Sequence, residues 1–145
     1  MNAKNFFTKD QKLAITKAIT QSELQTSGEI RLHIDSNCKV NVLDSATLTF
    51  RKLKMHKTEL RNGVLFYLAV TDKKFAILGD KGINEKVPEN FWDNIKELML
   101  DYFKKQQFTE GLCKGIEMAG EKLKTHFPLQ SNDTNEITNE ISIGN

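Results

Sequence analysis

The chain has 145 residues, 39% of them hydrophobic and 28% charged, with a formal net charge of +2. That is enough chain for one packed domain, and a near-neutral balance speaks against a dedicated nucleic-acid binder, which would carry a strongly basic face. Cys38 and Cys113 form no spaced pair and His33, His56 and His126 are scattered, so neither a disulfide framework nor a zinc site is expected.

The N-terminus MNAKNFFTKDQ has no apolar stretch of signal-peptide length and no run is long enough to span a bilayer, so no membrane span and a cytoplasmic location are expected. Thr8-Lys9-Asp10-Gln11 reads as a capping box, with Phe7 as a hydrophobic staple, opening a helix that runs to about Thr26. Its stripe is Leu13, Ala14, Ala18 and Ile19, with Ile15 and Leu24 beside it, and Ser27-Gly28 stops it. Glu29–Asp35 then alternates: Ile30, Leu32 and Ile34 face one way and Glu29, Arg31, His33 and Asp35 the other, which predicts a strand with one fully apolar face. Residues 36–43 read as a polar loop with room for a short strand at Lys39–Val42. Asp44 or Ser45 is placed to cap a second helix to about Lys57, with Ala46, Phe50 and Leu53 inward.

Val64–Val70 is apolar without a polar break. Both of its faces must be covered, which makes it the central strand. The strand–helix–strand order predicts a right-handed crossover and a parallel pair. Thr71-Asp72-Lys73-Lys74 turns the chain and Phe75–Leu78 returns antiparallel, ending in Gly79-Asp80-Lys81-Gly82. Pro88 suits the first turn of a third helix, with Glu89 and Asp93 near its positive end and a wide apolar face from Phe91 to Phe103. Thr109 is expected to cap a fourth helix to about Thr125. Gly111, Gly115 and Gly120 in that helix suggest close helix–sheet approach, with a loose helix as the alternative. Residues 8–128 form the domain. Residues 129–145, polar and asparagine-rich with an echoed Thr-Asn-Glu-Ile, read as a disordered tail. The fold class is α/β, a Rossmann-like three-layer sandwich with a small mixed sheet between helices.

The carboxylates sort by sheet end. Glu29, Asn62 and Asp80 fall at one end, with Glu89 and Asp93, and in addition Glu85, able to approach it; Asp35, Asp72 and Asp44 fall at the other. A set of Asp, Glu and Asn oxygens without cysteine or paired histidine suits a hard cation, Ca²⁺ or Mg²⁺, held weakly by Glu29, Asn62, Asp80, Glu89 and Asp93. The bland alternatives are helix-dipole partners for Glu89 and Asp93, a turn residue for Asp80 and a surface ion pair for Glu29. His33 reads as a packed or surface histidine rather than a ligand.

The runs SGEIRLHID, RNGVLFYLAV, KFAILGDKGI and KKQQFTEGLCKGI are similar, in order and spacing, to the TPM domain family over about residues 10–126. That family has many bacterial members and a thylakoid-lumen phosphatase of photosystem repair. The resemblance implies a Rossmann-like sandwich, divalent-metal binding and, in some members, acid phosphatase activity; the family's acidic position near the third helix falls on Glu89. Many members carry a signal peptide, a transmembrane helix and a proline in the third helix; this chain shows neither of the first two and has Leu100-Asp101-Tyr102 at the last.

Three functions follow as expectations. The first is a metal-responsive binding or accessory module. The second is a metal-assisted phosphatase, with Arg61 placed to orient a phosphate. The third is an interaction domain that recruits a protein partner through its tail or a helix face without metal.

Overall fold

The computed structural model describes residues 2–130 and 135–145. The order is α1 (Lys9–Glu23), β1 (Glu29–Asp35), α2 (Val42–Lys52), β2 (Gly63–Ala69), β3 (Lys74–Gly79), α3 (Lys81–Lys86), α4 (Asp93–Lys104), α5 (Phe108–Leu123) and β4 (Ser142–Ile143). One four-stranded sheet runs β3-β2-β1-β4; β1 is parallel to β2 and β4, and β3 is antiparallel to β2. The fold is the expected three-layer α/β sandwich. On one face Ile30, Leu32, Ile34, Val64, Phe66 and Leu68 pack under α1, α4 and α5. On the other, Leu65, Tyr67, Ala69 and Ala76 pack under Ala46 and Phe50 of α2. Every residue of β2 is buried, as its unbroken apolar run requires.

The capping box of α1 is formed: Gln11 N donates to Thr8 Oγ1 at 3.1 Å and Thr8 N to Gln11 Oε1 at 2.9 Å. Elsewhere the helix limits shift for local reasons. α2 opens three or four residues earlier than expected because Asn41 accepts from Asp44 N at 2.9 Å and so serves as the cap. It closes at Lys52, with Lys54 in the left-handed region at φ 58°. No strand forms at 39–42. The acidic turn after β3 holds a short helix, α3, whose N-cap is Asp80, accepting from Lys81 N at 2.7 Å. Gly82 lies so close to the carbonyl oxygens of Leu60 and Arg61 that no Cβ fits there. Val87 ends α3 in an extended conformation, which the following Pro88 imposes. Residues 88–92 form turns instead of helix, and α4 starts only at Asp93. Gln106, at φ 62°, closes α4, and α5 begins at Phe108 behind Gln107, not behind a Thr109 cap.

The segment read as a disordered tail is the largest departure. Residues 135–145 return across the sheet: Ile137 is 7% exposed, and β4 pairs with His33 and Ile34 of β1. Residues 131–134 of that segment lie outside the described residues. The two isoleucines of the echoed motif are its anchors. Ile137 enters the cluster under α2, and Ile141 packs against the larger core on the helix side.

Candidate functional site

At the end of the sheet where β1 and β2 begin, main-chain bonds bring three of the anticipated residues together. Glu29 N donates to the Asn62 carbonyl at 3.1 Å, and Asp80 N donates to the Gly63 carbonyl at 2.9 Å. Register places Glu29 beside Gly63, and Gly63 next to the end of β3 that leads into Asp80. The space over Gly63 is filled: a Cβ there would meet the Met55 carbonyl oxygen at 3.1 Å and Ile137 Cδ1 at 3.3 Å. Glu29 and Asp80 are thereby kept apart on the two sides of a plug, about two strand spacings (~10 Å) from each other.

Each side chain has its own partners. Asp80, 6% exposed in its side chain, takes a two-pronged bond from Arg61, Nε to Oδ2 and Nη2 to Oδ1, both at 2.8 Å. That Arg61 lies in the left-handed region at φ 51°. Glu29, 4% exposed, accepts from Ile137 N at 2.7 Å. Burial pushes its carboxyl up to about 7, the neighbouring Glu136 carboxylate adding to the rise and the amide donors of Ile137 and Glu136 opposing it. Asn62, 2% exposed, donates its amide to the Ser27 carbonyl at 2.7 Å, and its Oδ1 is buried without a hydrogen-bond partner. Glu89, Asp93 and Glu85 are exposed. Asp93 lines an open depression of about 490 Å³ with Lys122 and His126, and Glu85 lies near enough to add to the field at Arg61. Among the described residues no three His, Cys, Asp or Glu side chains are grouped to hold a metal ion.

Sequence reasoning missed two carboxylates here. Glu23, near the end of α1, accepts from Ile30 N at 2.9 Å, and burial pushes it too up to about 7. Glu136 comes from the tail and also accepts from Glu59 N at 3.2 Å. Glu23 and Glu29 both line a cleft of about 410 Å³ between α1 and the returning tail. The repeated Thr-Asn-Glu-Ile was the available signal for Glu136, since two isoleucines at fixed spacing in a polar stretch are candidate anchors.

The opposite end of the sheet holds a bonded polar network that lines a cleft of about 260 Å³. His33, 7% exposed, has Nε2 at 2.8 Å from Asp35 Oδ1 and Nδ1 at 2.9 Å from Ser142 Oγ, with its ring stacked on Tyr67. Tyr67 donates to Asp35 Oδ2 at 2.6 Å; burial, with Asp35 next, pushes its hydroxyl well above the ordinary tyrosine value, so it remains a donor. Gly144 covers this network so closely that a Cβ would run into the Asp35 carboxylate. Asp72 accepts from Cys38 N at 2.8 Å and Asn37 Nδ2 at 2.9 Å, bonds that hold its carboxyl below the usual range. Asp44 stays local, accepting from Asn41 Nδ2 at 2.7 Å. These acids do not join the first group. No described helix is long and apolar enough to cross a membrane.

A family model described as the TPM domain matches residues 1–122. The chain is similar to a solved structure, the BA42 protein of the psychrophilic bacterium Bizionia argentinensis: 45% identity, 97% of each chain covered, TM-score 0.92. The N-terminal domain of a P. gingivalis protein superposes with TM-score 0.68 at 13% identity, covering 85% of this chain and 80% of that one. The N-terminal domain of the cg2496 protein from Corynebacterium glutamicum does so with TM-score 0.64 at 11% identity, covering 94% and 80%. These two likenesses are of fold. No curated protein matches the chain.

Proposed function

The chain belongs to the TPM domain family, and on that premise we propose that it acts as a binding or accessory module that responds to a divalent cation, Ca²⁺ or Mg²⁺, at the end of the sheet where β1 and β2 begin. The observation that supports this reading is an excess of buried acceptors. Asn62 Oδ1 has no partner, and on the neighbouring strand burial, with Glu136, pushes the Glu29 carboxyl up to about 7. A cation supplies the missing positive charge there and releases the proton, and all-oxygen donors suit a hard ion. In this reading Glu29, Glu136 and Asn62 are the ligands. Asp80 is bound by Arg61, and the exposed Glu89 and Asp93 are not in the set. The phosphatase alternative has less support in the geometry, because Arg61, the residue proposed to orient a phosphate, donates both prongs to Asp80.

The test is a Ca²⁺ and then Mg²⁺ titration of isotope-labelled protein followed through backbone amide shifts. Saturating shifts at Glu29, Asn62 and Ile137 in the range of weak protein calcium sites, about 0.1–1 mM, are expected, with proton release at pH 7 that Glu29→Gln abolishes. Shifts confined to Asp35, Asp44 and Asp72 move the site to the other end of the sheet. No saturable shift up to about 10 mM, well past that range, overturns the reading.

A further inference from the structure

A second cleft, remote in character from the carboxylates, lies where the β2–β3 hairpin meets α4, α5 and the N-terminal lead. Its volume is about 320 Å³, within the range of small-ligand sites. Buried Leu68 of β2 and Val70, just past its end, form its base. Its walls are aromatic: Phe75 meets Phe103 edge-on at 5.2 Å, Phe103 meets Phe108 at 5.4 Å, and Phe108 meets Phe6 at 5.1 Å. All four rings are only half-buried and Leu100 beside them is 44% exposed, so a continuous apolar wall is left partly in water.

The rim carries one sign of charge. Lys73, Lys74 and Lys104 line the opening, all three are exposed, and no acidic residue lines it. Among the described residues none of the three forms a salt bridge; Lys74 feels Asp72 at longer range, and Asp72 is itself bound by Asn37 and Cys38.

The geometry points to a binding site for a small anionic amphiphile, a medium-chain carboxylate, whose chain lies along the phenylalanine wall and whose head group meets the three lysines. Its apolar body removes the wet ring surface from water. Its single negative charge answers three cations, none of them in a salt bridge among the described residues, which a neutral or cationic amphiphile of equal length does not. A carboxylate keeps that charge throughout the neutral range.

The experiment uses the full chain with methyl-labelled Leu and Val and titrates decanoate, decanol and decylammonium, each below its micelle concentration. Decanoate is expected to give saturating shifts at the methyls of Leu68, Val70 and Leu100, binding about fivefold or more tighter than decylammonium. The surface variant Lys73→Gln/Lys74→Gln/Lys104→Gln, which leaves the packed walls intact, should lose that preference while leaving decanol affinity unchanged. Three results overturn the inference: no saturable shift with decanoate, equal affinity for decanoate and decylammonium, or shifts at the same methyls that follow protein concentration without ligand, which would assign the cleft to a second copy of the chain.

Discussion

Glu29 and Glu23 carry a consequence for stability that can be signed. Both are pushed from about 4.5 to about 7, chiefly by burial. Between those values the folded protein holds protons that the unfolded chain has released, so the folded state is favoured below about pH 4.5 and loses that advantage as pH rises through about 7. Screening by water reduces the effect to about 1–2 kcal/mol for each group. Glu29→Gln keeps an oxygen for Ile137 N and removes the titration. The variant should therefore gain on the natural protein by about that amount between pH 4.5 and 7, read as urea midpoints across the range; a constant difference would remove this account of Glu29. Arg61 allows a second comparison. Arg61→Ala strips both prongs from the buried Asp80 carboxylate and keeps a Cβ in the left-handed region, whereas Arg61→Gly removes the same bonds and relieves the backbone. Both should unfold at lower urea than the natural protein, with the alanine variant lower than the glycine one.

The helical glycines show what sequence reasoning can and cannot reach. Three glycines in α5 lower helix propensity, but the close approach they permit is to helices and not, as expected, to the sheet: at Gly120 a Cβ would fall 2.6 Å from Ser22 Cβ and 3.0 Å from Ser22 Cα on α1. Ser22 also donates to the Ile116 carbonyl at 3.1 Å, so α1 cannot withdraw freely. Gly120→Ala gains about 1 kcal/mol of helix propensity but overpacks the α1–α5 contact, for a net loss of about 1–2 kcal/mol. Adding Ser22→Gly should recover much of it, and a denaturation cycle over the four proteins checks this coupling. β1 and β2 were legible because alternation and its absence report directly on how many faces are covered. α3 was not, since six residues hold too little period to register and Pro88, which stops it, fits the first turn of a helix equally well. The site was legible only to the level of the sheet end. Which way Glu29 and Asp80 are bonded depends on Met55 and Ile137 filling the space over Gly63, and no local pattern in the sequence encodes that plug.

Ile137 belongs to the tail, and the tail decides how the sheet is completed beside β1. Without β4, β1 would be an edge strand with unpaired main-chain groups, a template for another chain. The returning segment covers that edge near the start of β1 and pairs with it near the finish. Near the start of β1, Ile137 is buried and its N–H meets Glu29. Near its finish, Ser142 meets His33, Gly144 N donates to the Ile34 carbonyl at 2.9 Å, and Asn145 Oδ1 accepts from Ser36 N at 2.9 Å. A chain cut after Gln130 should therefore lose stability chiefly through Ile137, whose burial is worth about 1.5–3 kcal/mol. It should also expose Glu29, so that its carboxyl returns toward the ordinary range and the pH dependence described above weakens. The freed edge should self-associate. Sedimentation of the cut chain across a concentration series, with amide exchange along β1, measures both effects: a monomer whose β1 amides stay as protected as in the full chain would show that the sheet needs no fourth strand. Ile137→Ala in the full chain separates the two contributions, because it removes the buried side chain while leaving β4 free to pair, and it should lower stability by about 2–4 kcal/mol without promoting association.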